Sequence, residues 1–190
     1  MAVSTSKRRT PHRLDLVIDF VNTLDAEEET DVLATPEGLG RWLTEKGLLA
    51  SAAPSVTQPE RRRAVELREA LRDLLLEHNG GPSNGGAAQV LQRVARSGEL
   101  GVHFQSDGAA VLAAGRERFA GALAALLVPV AEASHDGSWQ RVKACRAGDC
   151  LWAFYDHSRN RSGVWCNMAV CGNREKVRAY RRRSPRGQGS

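Results

Sequence analysis

All four cysteines of the 190-residue chain, Cys145, Cys150, Cys166 and Cys171, stand in its last quarter, spaced C-x4-C, fifteen residues, C-x4-C. Zinc prefers four thiolates at about 2.3 Å in a tetrahedron, and two turn-like pairs can supply that geometry when they meet. The segment that carries them is too short to fold by apolar burial alone, so a metal staple is the natural expectation. Two disulfides, four unlinked buried thiols or an iron-sulfur cluster are the competing uses of the same residues. Paired spacing in a chain expected to be cytoplasmic, with reduced thiols, favours one structural Zn2+. Four protein ligands close the site, which argues against metal catalysis, and His157 then reads as a loop residue. Nothing else suggests an enzyme: there is no phosphate loop and no recognisable group of nucleophile, base and orienting residue.

The second chemistry is charge. The net charge is +5, but residues 1–140 hold 15 Lys/Arg against 19 Asp/Glu, while residues 141–190 hold 12 against 3. A short segment this basic points to a polyanion, with DNA the expected partner and RNA the alternative. Arg174, Arg178 and Arg181 share one side of the helix expected from about Gly172, with Lys176, Arg182 and Arg183 widening the basic surface. Val177 and Tyr180 are expected to pack back on the finger, and Arg159, Asn160 and Arg161 to face the same partner as the helix. Seven cations each meeting a phosphate give a salt slope of about −6. Asn173 and Arg174 carry two readings of equal weight: direct contact with the nucleic acid, or bracing, with Arg174 paired to Asp156.

Positioning these residues falls to the preceding elements. Residues 1–11 read as a disordered arm and 184–190 as a disordered tail. Between them, 12–137 form the first domain and 138–183 the finger, joined at the HDGS stretch, residues 135–138. Leu14, Val17, Ile18, Val21 and Leu24 recur at helical spacing, and an acidic loop, AEEETD, follows. Thr35 and Pro36 open a short helix that Gly47 stops. Thr57 and Glu60 stand in capping-box spacing at the start of a long helix to about His78, with Leu67, Leu71, Leu74 and Leu75 inward. Residues 85–96 make a fourth helix, and Leu100, Val102 and Phe104 alternate into a β-hairpin about Ser106-Asp107-Gly108. Phe119 to Val130 reads as one long helix kinked at Pro129. In the finger, strands are expected at 140–144 and from Leu151 to Tyr155. Asp19 and Asn22 with Arg68 are candidates for a buried polar network or a ligand pocket. No apolar run is long enough to span a membrane, and Asp15 and Asp19 break up the stretch that a secretory signal would need.

The run Cys171-Gly172-Asn173-Arg174 resembles the CGNR zinc finger. The similarity extends to the upstream C-x4-C, Phe154, Asp156, Ser158-Arg159-Asn160, Trp165-Cys166, Met168, Lys176, Tyr180 and Arg181. Ahead of it, Asp19-Phe20-Val21-Asn22-Thr23-Leu24, the TPEGL-x2-WL helix start and LREALRDLL resemble the ABATE domain. The resemblance implies a treble-clef finger behind a mixed α/β domain, in a bacterial stress-induced transcription regulator. Gly163 and Val164 depart from the pattern, since the family commonly has a further arginine before Trp165-Cys166. The expectation is therefore an α+β protein, mostly helical with one hairpin in its first domain and a four-cysteine finger in its second. In it the finger contacts DNA, and the first domain senses an unknown small molecule or protein, or forms an interface. The alternative is an RNA-binding or protein-interaction module whose zinc is purely structural.

Overall fold

A computed structural model of the chain describes residues 12–50 and 55–183; the expected arm at 1–11 and tail at 184–190 lie outside the described residues. The first element, α1 (His12–Val21), buries Leu14, Val17, Phe20 and Val21 on one side. Leu24 leaves the helix that its spacing suggested and opens β1 (Leu24–Asp25), which pairs antiparallel with β2 (Thr30–Asp31). The acidic loop is thus the tip of a second, very short hairpin in the first domain. Asp25 makes the turn, because its carboxylate accepts the amide hydrogens of Glu27 and Glu28 at 3.0 and 3.1 Å and so competes with helical bonding.

The next helices begin where their caps say. In α2 (Pro36–Glu45) the Thr35 hydroxyl accepts from the Gly38 amide at 3.1 Å, and Leu39, Trp42 and Leu43 turn inward. The long α3 (Gln58–His78) starts at a reciprocal Thr57–Glu60 capping box and runs through the middle of the molecule, with Leu67, Leu71 and Leu75 completely buried. Past the glycine-rich turn lie α4 (Ala87–Ser97) and the hairpin β3 (Leu100–Phe104) and β4 (Ala110–Ala114). Only the base of that hairpin packs on the helices, and Val102 and Phe104 stay exposed at its far end.

The long helix expected over 119–130 is two helices, α5 (Arg118–Ala125) and α6 (Val128–His135). Proline in mid-helix would delete a backbone hydrogen bond and collide with the preceding turn. The chain instead breaks at Leu126–Leu127 and restarts with Pro129 in the first turn of α6, where its missing N–H has no intrahelical partner to lose.

A 3-10 turn (Trp139–Arg141) leads into the hairpin of β5 (Val142–Ala144) and β6 (Ala153–Tyr155), and a wide π-type turn (Met168–Gly172) leads into the last helix, α7 (Asn173–Arg183). The whole is an α+β fold. Trp139, Val142, Ala144 and Ala153 belong to the same apolar core as α1, α2, α3 and α5, so the last hairpin is seated on the helices. Three polar side chains fix its register. Asn22 at the end of α1 donates to the Ala153 carbonyl at 3.0 Å and accepts from the Ala153 amide at 2.7 Å, and the His78 ring lies 2.9 Å from the Val142 carbonyl. Asn79 donates to the carbonyls of Ala144 and Val164, both at 2.8 Å. Replacing Asn22 by Ala leaves the Ala153 amide and carbonyl without partners, which costs about 1–3 kcal/mol. Urea unfolding of the zinc-loaded protein should show that loss, and an unchanged midpoint would mean that Asn22 does not hold the hairpin.

Candidate metal centre and basic helix

The four sulfurs converge although their residues come from three separate places. Cys145 follows β5 directly, and Cys150 ends the tight turn before β6. The Cys145 amide donates to the Trp152 carbonyl at 2.9 Å, and the Cys150 amide to Ala147 at 2.9 Å, so the turn is hydrogen-bonded into a rigid knuckle. Cys166 lies in the following loop and Cys171 in the π-type turn. Asn167 shapes that turn by accepting the amides of Ala169 and Val170 at 2.9 and 3.3 Å. Gly172 is needed there: a Cβ on it would come within 2.5 Å of the Met168 sulfur and 3.0 Å of the Trp165 ring. Trp152, Phe154 and Trp165 cover the cluster.

All four Sγ atoms lie within 4.8 Å of one another, with Cys166 3.6 Å from both Cys150 and Cys171. A tetrahedron with 2.3 Å zinc-sulfur bonds has sulfur-sulfur edges of about 3.8 Å, so the set fits one zinc ion. The separation is too great for disulfides, whose sulfurs bond at about 2.05 Å, and all four cysteines are free. The cage admits a single ion and not a multi-iron cluster. Burial pushes the Cys150 thiol up to about 12 and raises that of Cys166 as well. A divalent cation is what lets such a cluster give up its protons. The site holds one structural zinc, with Cys145, Cys150, Cys166 and Cys171 as its ligands.

Beside the cluster lies a buried ion pair that the residue pattern did not disclose. The Lys143 ammonium donates to Asp156 at 2.8 Å and to the carbonyls of Arg161 and Gly163 at 2.6 and 3.0 Å. Burial opposes a charge on Asp156. The Lys143 ammonium, Ser158 and the Gly163 amide outweigh it and hold the carboxyl down to about 2. This pair occupies the loop where the resemblance would place an arginine. A Cβ at Gly163 would come within 2.7 Å of the Asp156 carboxylate, which explains the glycine.

Asp156 is therefore not the partner of Arg174. Arg174 donates to Glu27 at 2.7 and 3.4 Å, lies 3.4 Å from Asp149 and reaches the Cys171 sulfur at 3.5 Å. Arg178 grips Asp149 at 2.7 and 3.2 Å and Glu175 at 2.6 Å. The first turns of α7 thus face the reverse of the expected way: Arg174 and Arg178 turn toward the knuckle and part from the exposed Arg181, while Val177 and Tyr180 are 48% and 72% exposed. Asn173 braces the π-type turn by donating to the Ala169 carbonyl at 3.0 Å. Arg159, Arg161, Lys176, Arg181, Arg182 and Arg183 are exposed and pair with no carboxylate among the described residues. The pairing had one signal in the sequence: only three acids stand among twelve cations after residue 140, and each of them is matched to a cation.

The trio Asp19, Asn22 and Arg68 does not form one network. Asp19 pairs with Lys46 at the surface, Asn22 holds β6, and Arg68 forms a fork to Asp31 at 2.6 and 3.1 Å beside Thr23. Asp19 and Asn22 stand three residues apart at the end of α1, Arg68 stands on α3, and each meets a different partner.

Fold and site together define a zinc-finger protein with a helical α+β domain ahead of the finger. Residues 141–184 match the CGNR zinc finger family, and residues 14–136 match the ABATE family, described as "Putative stress-induced transcription regulator". The chain belongs to the ABATE family and ends in a CGNR zinc finger. No curated protein matches it. No described helix is long and apolar enough to cross a membrane.

Elemental analysis of protein purified without chelator should find one zinc per chain, and Cys171→Ser should lose it together with the ordered finger; metal-free, folded protein would refute the assignment. For the Lys143–Asp156 pair the sign follows from a depressed acid. Its stabilisation is complete above the unfolded carboxyl value of about 4 and is lost as pH falls through about 2. Asp156→Asn should cost about 3–5 kcal/mol at neutral pH, because it strands a buried ammonium. Its deficit against the wild type, read from urea midpoints, should shrink steadily between pH 4 and pH 2.

Proposed function

We propose that the chain is a cytoplasmic DNA-binding transcription regulator of the stress-response type, its finger clamping the duplex through α7 and its first domain acting as sensor or interface. The observation that carries this reading is the outward face of α7. Asn173, Lys176, Val177, Tyr180 and Arg183 recur at helical spacing along it, with Arg181 beside them, and all are exposed. The inward face is anchored by Arg174 and Arg178 to Asp149. A helix held this way by a metal platform presents cations and an aromatic ring at a fixed angle, and an α-helix fits the major groove of DNA. The family description supports regulation of transcription.

Phosphate contacts belong to Arg159, Arg161, Lys176, Arg181, Arg182 and Arg183, six exposed cations with no acid partner among the described residues, and Arg174 and Arg178 drop out of the contact surface. If all six meet phosphates, the salt slope is about −5. A zinc tetrahedron filled by four thiolates leaves no position for an activated water, which supports a non-enzymatic role. A second reading has an observation of its own. Met168 and Val170 on the π-type turn and Val177 and Tyr180 on α7 are all about half exposed or more, and exposed apolar side chains also suit a protein partner.

Anisotropy titrations of duplex DNA across a salt series separate these readings. Arg181→Ala with Arg183→Ala should weaken binding on every sequence and lower the slope by about 2, whereas Arg178→Ala should leave the slope near its wild-type value. Tighter binding of structured RNA at matched salt would move the assignment to RNA. No retention of either nucleic acid at low salt would favour the protein adaptor.

A further inference from the structure

We infer that Arg174 is an outer residue of the zinc centre, held in place by Glu27 of the first domain, so that the acidic β1–β2 turn sets how tightly the finger keeps its metal. This holds whether the finger's partner is DNA or another molecule. Four contacts meet at one guanidinium. One terminal nitrogen reaches the Cys171 sulfur at 3.5 Å and Glu27 at 3.4 Å, and the other reaches Glu27 at 2.7 Å and Asp149 at 3.4 Å. Its Nε is buried with no hydrogen-bond partner among the described residues. The side chain is three-quarters buried, which is unlike a cation waiting for a phosphate.

A zinc ion with four thiolates carries a net charge of about −2, so a guanidinium donating to one of those sulfurs stabilises the loaded state directly. It is the one side-chain donor to a sulfur, other than the cysteines themselves, among the described residues. Outer partners of this kind orient ligands and commonly change metal affinity by about 10–100-fold when removed. What distinguishes this one is its second anchor. Glu27 stands in a turn 147 residues away along the chain, and that turn is shaped by Asp25. With both Glu27 oxygens on the fork, the guanidinium has little rotational freedom left, and its remaining N–H edge points at the metal cluster. Whatever displaces the β1–β2 turn therefore releases the donor from Cys171 as well.

The test uses the full, zinc-loaded chain and a competing chromogenic chelator. Arg174→Gln should lower zinc affinity by about 10–100-fold, and Glu27→Gln should lower it in the same direction by a smaller factor. The double variant should be no weaker than Arg174→Gln alone, because Glu27 acts through the guanidinium. Arg181→Gln, which removes an exposed charge from the same helix, should leave affinity unchanged. With Co2+ in place of zinc, loss of the N–H···S bond should move the sulfur-to-metal charge-transfer band to lower energy in Arg174→Gln and not in Arg181→Gln. Wild-type affinity in Arg174→Gln, an equal loss in Arg181→Gln, or additive losses in the double variant would each overturn the inference. Should Arg174→Gln fail to fold, Glu27→Gln decides alone: it alters an exposed turn outside the finger, and unchanged affinity and spectrum there would end the proposal.

Discussion

Four thiols packed within 4.8 Å of one another cannot ionise together unless a cation sits among them, and residues 145–183 take their form from that constraint. The finger's own apolar residues are few. Trp152, Phe154 and Trp165 shield the sulfurs, and the ordered turns on either side exist because the cysteines they carry must reach a common point. The knuckle, the π-type turn and the start of α7 are each defined by a ligand. Once these are fixed, the direction of α7 and the face it shows to solvent follow.

The finger does not hang from the helical domain by a linker. Its hairpin adds Val142, Ala144 and Ala153 to the common core, and the amides of Asn22 and Asn79 take up backbone groups of the hairpin and the loop that would otherwise be buried without partners. A second link runs through charge, from Glu27 to Arg174. The acidic balance of the first 140 residues thereby acquires a local meaning: one of its carboxylates is committed to the basic segment. The remaining cations of α7 face outward, and the division of labour between structural and available arginines is made by three acids, Asp149, Glu175 and Glu27.

Local signals were legible wherever one residue type decides the outcome within a turn or two. Thr35, Thr57 and Glu60 cap their helices as their spacing indicates, Gly80 and its neighbours end α3, and the alternation after residue 99 is a hairpin. The metal ligands belong to this class, because thiolates in two short-range pairs have few other uses in a reduced chain. Where two local rules competed, the pattern misled. Leu24 fits a helical stripe, but Asp25 captures its own downstream amides; Pro129 fits a kink, but a restart satisfies more hydrogen bonds.

What the sequence by itself determined is the inventory: where helices start, which residues are apolar, that four sulfurs and an excess of arginine share one segment. Tertiary structure decided which arginine meets which acid. A guanidinium pairs with whichever carboxylate lies within a few ångströms. Glu27 and Arg174 are brought to that distance only after α1, β5–β6 and the metal knuckle have closed around one core. Helical periodicity placed Arg174 and Arg178 on one face and Val177 and Tyr180 on the other; it could not say which face would look inward, because in a segment with almost no core that choice is made by ion pairs across the fold and not by burial.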